Sequence, residues 1–189
     1  VLELDIGDLV NLSESLEPRI EQFSAEQEQE IVSDNRLLLV AYCLINYWTF
    51  DEIIERYDIS PEDGLKYLRR LDRMRIIELQ PGDRVRLLIA NNFSWRKNGA
   101  IEKFFRSRVQ TEFFQHDFGD DESIRIVKNG MLSRKSQIQL IEKLKAAGEH
   151  FDDLTWDERR LPAAARNGTT MVLAIRHWFF EGFRDLERR

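Results

Sequence analysis

Hydrophobic positions fall into short periodic runs along the chain, separated by polar turns, and the runs change character about two thirds of the way through. At the start, Leu2, Leu4, Ile6, Leu9 and Val10 recur at mixed spacing, and Asp5 is placed to cap a short helix through Val10. Pro18 marks a break, and an acidic, Gln-rich stretch follows. Ser24 and Gln27 have capping-box spacing, which predicts a helix over SAEQEQEIV. The carboxylates of 26–30 are expected on its solvated face. DNRLLLVAYCLINYW (34–48) is almost wholly apolar and predicts a buried helix of about three turns with Asp34 as N-cap. Thr49 and Glu52 form a second capping box, opening FDEIIERYD. Ser60, Pro61 and Asp63 then make a strong helix start for PEDGLKYLRRLDRMRII. Leu65, Leu68 and Leu71 share its apolar face.

After these helices the period changes. IIELQPGDRVRLLIA predicts strands at 76–80 and 84–90 joined by Pro81-Gly82-Asp83. Three helices followed by a hairpin is the order of a winged helix-turn-helix. Asn98-Gly99 predicts a turn, and Ile101, Phe104, Phe105, Val109 and Phe113 predict a long helix over about 100–115. Beyond it, SIRIVKNGML is expected as strand and the stretch from Ser133 to about Leu154 as helix. TTMVLAIRHW is then expected as strand and FFEGFRDLERR as helix. The expected fold is mainly α with an α+β character: a winged helix-turn-helix-like subdomain and a small β-α-β-α lobe. The corresponding divisions are an upstream helical tail with an acidic linker (1–33), the winged-helix-like subdomain with its long helix (34–115), and the small lobe (116–189).

Charge sharpens this picture. The net charge of −6 averages an acidic beginning, residues 1–59 with 3 Lys/Arg against 14 Asp/Glu, and a basic middle. Residues 60–106 hold 11 against 6, and the remainder holds 14 of each. Lys66, Arg69, Arg70 and Arg73 lie three and four residues apart, so on a helix they form one stripe. Arg84 and Arg86 share a strand face on the hairpin. Helix and wing together could meet phosphates of double-stranded DNA. Against this, the stripe lacks Asn, Gln, Ser or Thr for base edges, and the acidic 1–59 segment could pair with it instead.

Catalytic constellations are missing. His116, His150 and His177 are far apart with no metal-ligand spacing, and His116-Asp117 are neighbours that point different ways on a helix. No nucleophile elbow or phosphate-cradling Gly-rich loop occurs. Neither an enzyme nor a cofactor or metal is expected. Cys43 is the single cysteine, set among apolar neighbours, which fits a small buried hydrophobe in a reducing, cytoplasmic setting. No apolar run approaches the roughly 18 residues of a membrane span, and 42% hydrophobic with 33% charged residues suits a soluble chain. Trp48, Trp95, Trp156 and Trp178 sit at element boundaries, where aromatics commonly pack a seam. The alternative is a pocket for a planar or apolar small-molecule effector, formed by Trp95, Arg96, Arg176 and Trp178.

LELDIGDLVNLSE resembles the last helix of a lambda-repressor-like (Cro-type) helix-turn-helix domain. The runs RLLLVAYCLIN, NNFSWRKNGAIEKFF and MLSRKS are similar to the body of bacterial Cro-type regulators, and the resemblance extends over essentially the whole chain. Where that family has prolines, this chain carries Lys97, Ala100 and His177. The resemblance implies a regulator whose main DNA-reading head lies upstream of Val1. The body then supplies homodimerisation, effector sensing or both.

Overall fold

The computed structural model describes residues 19–90 and 93–178. The helices expected at 5–10 and after 178 lie outside the described residues. What is described is mainly helical, with one small antiparallel sheet.

Helix starts are where the caps put them. α1 (Ala25–Val32) begins on a complete Ser24–Gln27 capping box. α2 (Asn35–Ile45) begins on Asp34, whose carboxylate accepts from the Arg36 and Leu37 N–H groups. α3 (Phe50–Arg56) has the Thr49–Glu52 box. α4 (Pro61–Arg73) has Ser60 as N-cap and its proline in the first turn. These polar devices settle the N–H groups that each helix leaves without intrahelical partners. α2 then buries Leu37, Val40, Ala41, Cys43 and Leu44, and α4 buries Leu68 and Leu71.

β1 (Ile77–Gln80) and β2 (Arg84–Leu87) pair antiparallel, with Glu78 opposite Arg86. Gly82 turns the hairpin at φ 75°, a conformation that costs a residue without Cβ little. Beyond β2 the chain meets Ile20 in a parallel bridge to Ile89, its amide donating to the Leu88 carbonyl at 2.8 Å. Residues 20–32, the end of the stretch expected as acidic linker, place Phe23 and Ile31 in the same core as Leu37, Ile53, Leu68, Ile76 and Ile77.

The long helix expected at 100–115 is present as α5 (Ala100–Phe104) and α6 (Gln110–Gln115), joined by a π-helical turn at Phe105–Val109. α7 (Arg134–Asp157) also matches its expected start, capped by Ser133 accepting from the Ser136 N–H.

Neither strand of the expected β-α-β-α lobe forms among the described residues. Residues 123–132 and 169–178, expected as its strands, carry neither strand nor helix. Ile124, Val127 and Met131 project into solvent, so the apolar alternation meets no second strand and no covering layer among the described residues. A period of two gives a strand only where a ladder completes it. Instead, the chain after α7 turns back onto the α2–α3 corner. Arg166 donates to the carbonyls of Asn46 and Tyr47 at 2.9 and 3.1 Å, and the Ala163 N–H donates to Glu52 at 2.7 Å.

Candidate functional site

The basic stripe of α4 divides in two. Arg70 is drawn toward the body by two carboxylates, Glu30 of α1 at 2.5 Å and the α2 cap Asp34 at 2.9 Å. Lys66 is held by Asp63 at 2.8 Å within its own helix, and Arg86 pairs with Glu78 across the hairpin. Pairing of the stripe with the acidic beginning of the chain therefore occurs, through Arg70. Arg69 and Arg73 stand exposed on α4 with no ion partner among the described residues. Arg84 is exposed at the hairpin tip, its Nε donating to the Pro81 carbonyl at 3.3 Å. Between the end of α4 and the hairpin lies an open groove of about 820 Å³, walled in part by Arg73, Arg75 and Arg86. Asp72 and Glu78 line the same groove, so Arg73 and Arg75 stand beside two carboxylates on a surface shared by α4 and the hairpin.

The Arg70 network has a measurable consequence. Burial pushes the Asp34 carboxyl up, but the Leu37 and Arg36 amides and the Arg70 guanidinium outweigh it, leaving Asp34 below the ordinary 3.8. A depressed carboxylate stabilises the fold above that value and loses the contribution as pH falls through its folded pKa. Arg70→Ala is therefore expected to cost under about 1 kcal/mol at neutral pH, because the pairs are partly exposed. The gap between variant and wild type should close below pH 3.8, as read from urea midpoints at both pH values.

The four residues expected to line an effector pocket fall into two pairs. Trp95 packs on Phe93 and Phe23 at ring-centroid distances of 5.1 and 6.0 Å. The Arg96 N–H donates at 2.9 Å to Oε1 of Glu28. Arg176 lies 5.5 Å over the ring of Trp178, on the extended chain beyond residue 169. An open cavity of about 580 Å³ beside α1 is lined by Arg96 but not by Trp95, Arg176 or Trp178. The seam role is clearer elsewhere: Trp156 meets Tyr47 edge-on at 6.0 Å with Arg159 stacked 3.5 Å over it, tying the end of α7 to the α2–α3 corner.

Glu28 is the residue that sequence reasoning misplaced. Expected on a solvated face, its side chain is fully buried, with Oε2 unpartnered among the described residues and packed against Gly99. The available signal was its spacing: Glu28 lies three residues before buried Ile31, on the inward side of α1. A carboxylate there sits at the start of α5, whose first N–H groups have no side-chain cap. Its position suits the partial positive charge of a helix N-terminus, so its role is that of a strut between α1 and α5.

Other chemistry stays scattered. The ring Nδ1 of His116 accepts from the Phe118 N–H at 2.9 Å, and among the described residues no three His, Cys, Asp or Glu side chains gather as a metal site. Cys43 is buried, which pushes its thiol up to about 11. Among the described residues no helix is long and apolar enough to cross a membrane. No family model, curated protein or solved structure matches the chain.

Proposed function

We propose that this chain is the dimer-forming body of a DNA-binding transcription regulator, and that residues 35–89 act as a winged helix-turn-helix unit. The observation that carries the reading is the placement of Arg69 and Arg73 on the outer side of α4 and of Arg84 at the hairpin tip, exposed and without ion partners among the described residues. Helix order supports it: α2, α3 and α4 share one core and lead directly into the hairpin. Three such cations, with Arg75 at the edge of the groove, suit contacts to phosphate rather than to base edges. The basic stripe of α4 offers no Asn, Gln, Ser or Thr, so sequence reading falls to another part of the regulator.

Fluorescence anisotropy with a mixed-sequence duplex tests this. The chain is expected to bind weakly, with affinity falling steeply as salt rises. Replacing Arg69, Arg73 and Arg84 together by Ala should reduce the slope of log K against log salt by about 3. No salt-dependent binding, or an unchanged slope in the triple variant, would sink the reading.

A further inference from the structure

α7 is 24 residues long and buries none of them. At 1.5 Å per residue it presents a rod of about 36 Å. Along it Leu140, Leu144, Ala147, Phe151 and Leu154 follow one another at spacings of 4, 3, 4 and 3, the repeat of a helix–helix seam. Leu140 is 39% exposed and Leu154 49% exposed. Met131 and Leu132, in the chain entering the helix, are 83% and 57% exposed and extend the apolar run. Ala147 is exposed as well, while Leu144 and Phe151 are half-buried, so the seam is only partly covered within the protomer among the described residues.

The charge along α7 says what fits it. Its first half, 134–145, holds 4 Lys/Arg against 1 Asp/Glu, a net +3; its second half, 146–157, holds none against 4, a net −4. That order opposes the helix's own dipole, which favours acids at the N-terminus and bases at the C-terminus. Within α7 the described ion pairing is limited to Lys145 with Glu142 at 3.0 Å. The acidic half is crowded: burial, together with Asp153 and Glu149, raises the Asp152 carboxyl above its ordinary range. A second α7 running the opposite way answers each of these features. It lays a positive half on a negative half twice over, sets the two dipoles antiparallel, and is related to the first by a two-fold axis. The midpoint of the seam is Ala147, flanked by Ala146 and Gly148, so small residues stand where two backbones would come closest. A parallel pair would set like charges side by side along the whole length.

We propose that α7 is a self-association element, pairing antiparallel with α7 of a second copy of this chain through Leu140, Leu144, Ala147, Phe151 and Leu154. The proposal rests on the dimeric part of the regulator reading and is independent of DNA contact. Its geometry places Leu140 of one copy opposite Leu154 of the other.

Cysteine pairing in the full chain tests it. Chains carrying Leu140→Cys and chains carrying Leu154→Cys, mixed under mild oxidation, are expected to form a disulfide-linked dimer, while each variant alone does not. Ala147→Cys alone should link to itself. Cys43, buried and with its thiol pushed up to about 11, stays out of the reaction. In sedimentation equilibrium, Lys143→Glu with Lys145→Glu should raise the dimer Kd about tenfold by setting acid against acid. A monomer at high micromolar concentration would overturn both this proposal and the dimeric reading. Self-linking of Leu140→Cys would mean a parallel pair and overturn the antiparallel assignment. A stable dimer with no cross-link at any of the three positions would overturn α7 as the surface and leave the dimeric reading standing.

Discussion

Replacing Phe23 by Ala is expected to cost about 3–5 kcal/mol, measured as the loss in unfolding free energy from urea titration. Phe23 is 1% exposed, and its ring lies 4.5 Å from that of Phe93 and 6.0 Å from that of Trp95. Removing it opens a cavity between the Ile20 bridge, the start of α1 and the loop after β2, where backbone bonds from Ile20 and Glu21 limit collapse. Cost in such sites follows how far the surroundings can close in. A loss below about 1 kcal/mol would mean that the stretch before α1 is not part of the core after all. Two-state unfolding should be checked with a second probe, and the four tryptophans provide one in fluorescence.

A large effect is also expected from Gly99→Ala, which reads the buried carboxylate. A Cβ at Gly99 would stand 1.9 Å from Oε2 of Glu28 and 2.8 Å from Cβ of Arg96. No packing tolerates the first distance, so Glu28 must move. A side-chain end on the surface would swing aside cheaply, but Glu28 has no exposed surface, and moving it breaks the 2.9 Å bond from the Arg96 N–H. Overpacking of this kind costs about 1–3 kcal/mol, and leaving a buried donor without its hydrogen bond is of similar size. The expected destabilisation is about 3 kcal/mol, read as a drop in urea midpoint with little change in slope. Pairing Gly99→Ala with Glu28→Ala makes a double-mutant cycle. The two changes should be partly non-additive, because the shortened side chain removes the 1.9 Å clash while the 2.8 Å approach to Cβ of Arg96 remains. Additive costs would show that Gly99 is constrained by something other than Glu28.

How much of this could be read from residues alone varies with the range of the interaction that decides it. Helix starts at Ser24, Asp34, Thr49, Ser60 and Ser133 were all legible, because capping is a contract among residues within one turn. The hairpin was legible for the same reason: Pro81-Gly82-Asp83 supplies the turn, and β-branched and apolar residues flank it. Its strands came out shorter than expected, since 88–90 turn from the hairpin to meet Ile20. The stripe Lys66–Arg73 was visible as a stripe, yet its division into held and exposed cations was not. That division depends on Glu30 and Asp34, 40 and 36 residues away in the chain from Arg70.

The strands expected at 123–132 and 169–178 show the opposite case. Their alternation is real, but a strand is defined by a neighbour, and no local pattern names the neighbour. Glu28 belongs with them: only the arrival of Gly99 against α1 turns a carboxylate in an acidic run into a buried strut.

The sequence by itself thus determined the helical register, the caps, the hairpin turn and the location of the cations, all set by spacing within a few turns. Tertiary structure alone decided which cations are held and which stand exposed, that residues 20–32 join the core, and that the two stretches expected as strands after α6 form none. Those outcomes turn on contacts between segments tens of residues apart, where burial and partner geometry outweigh local preference.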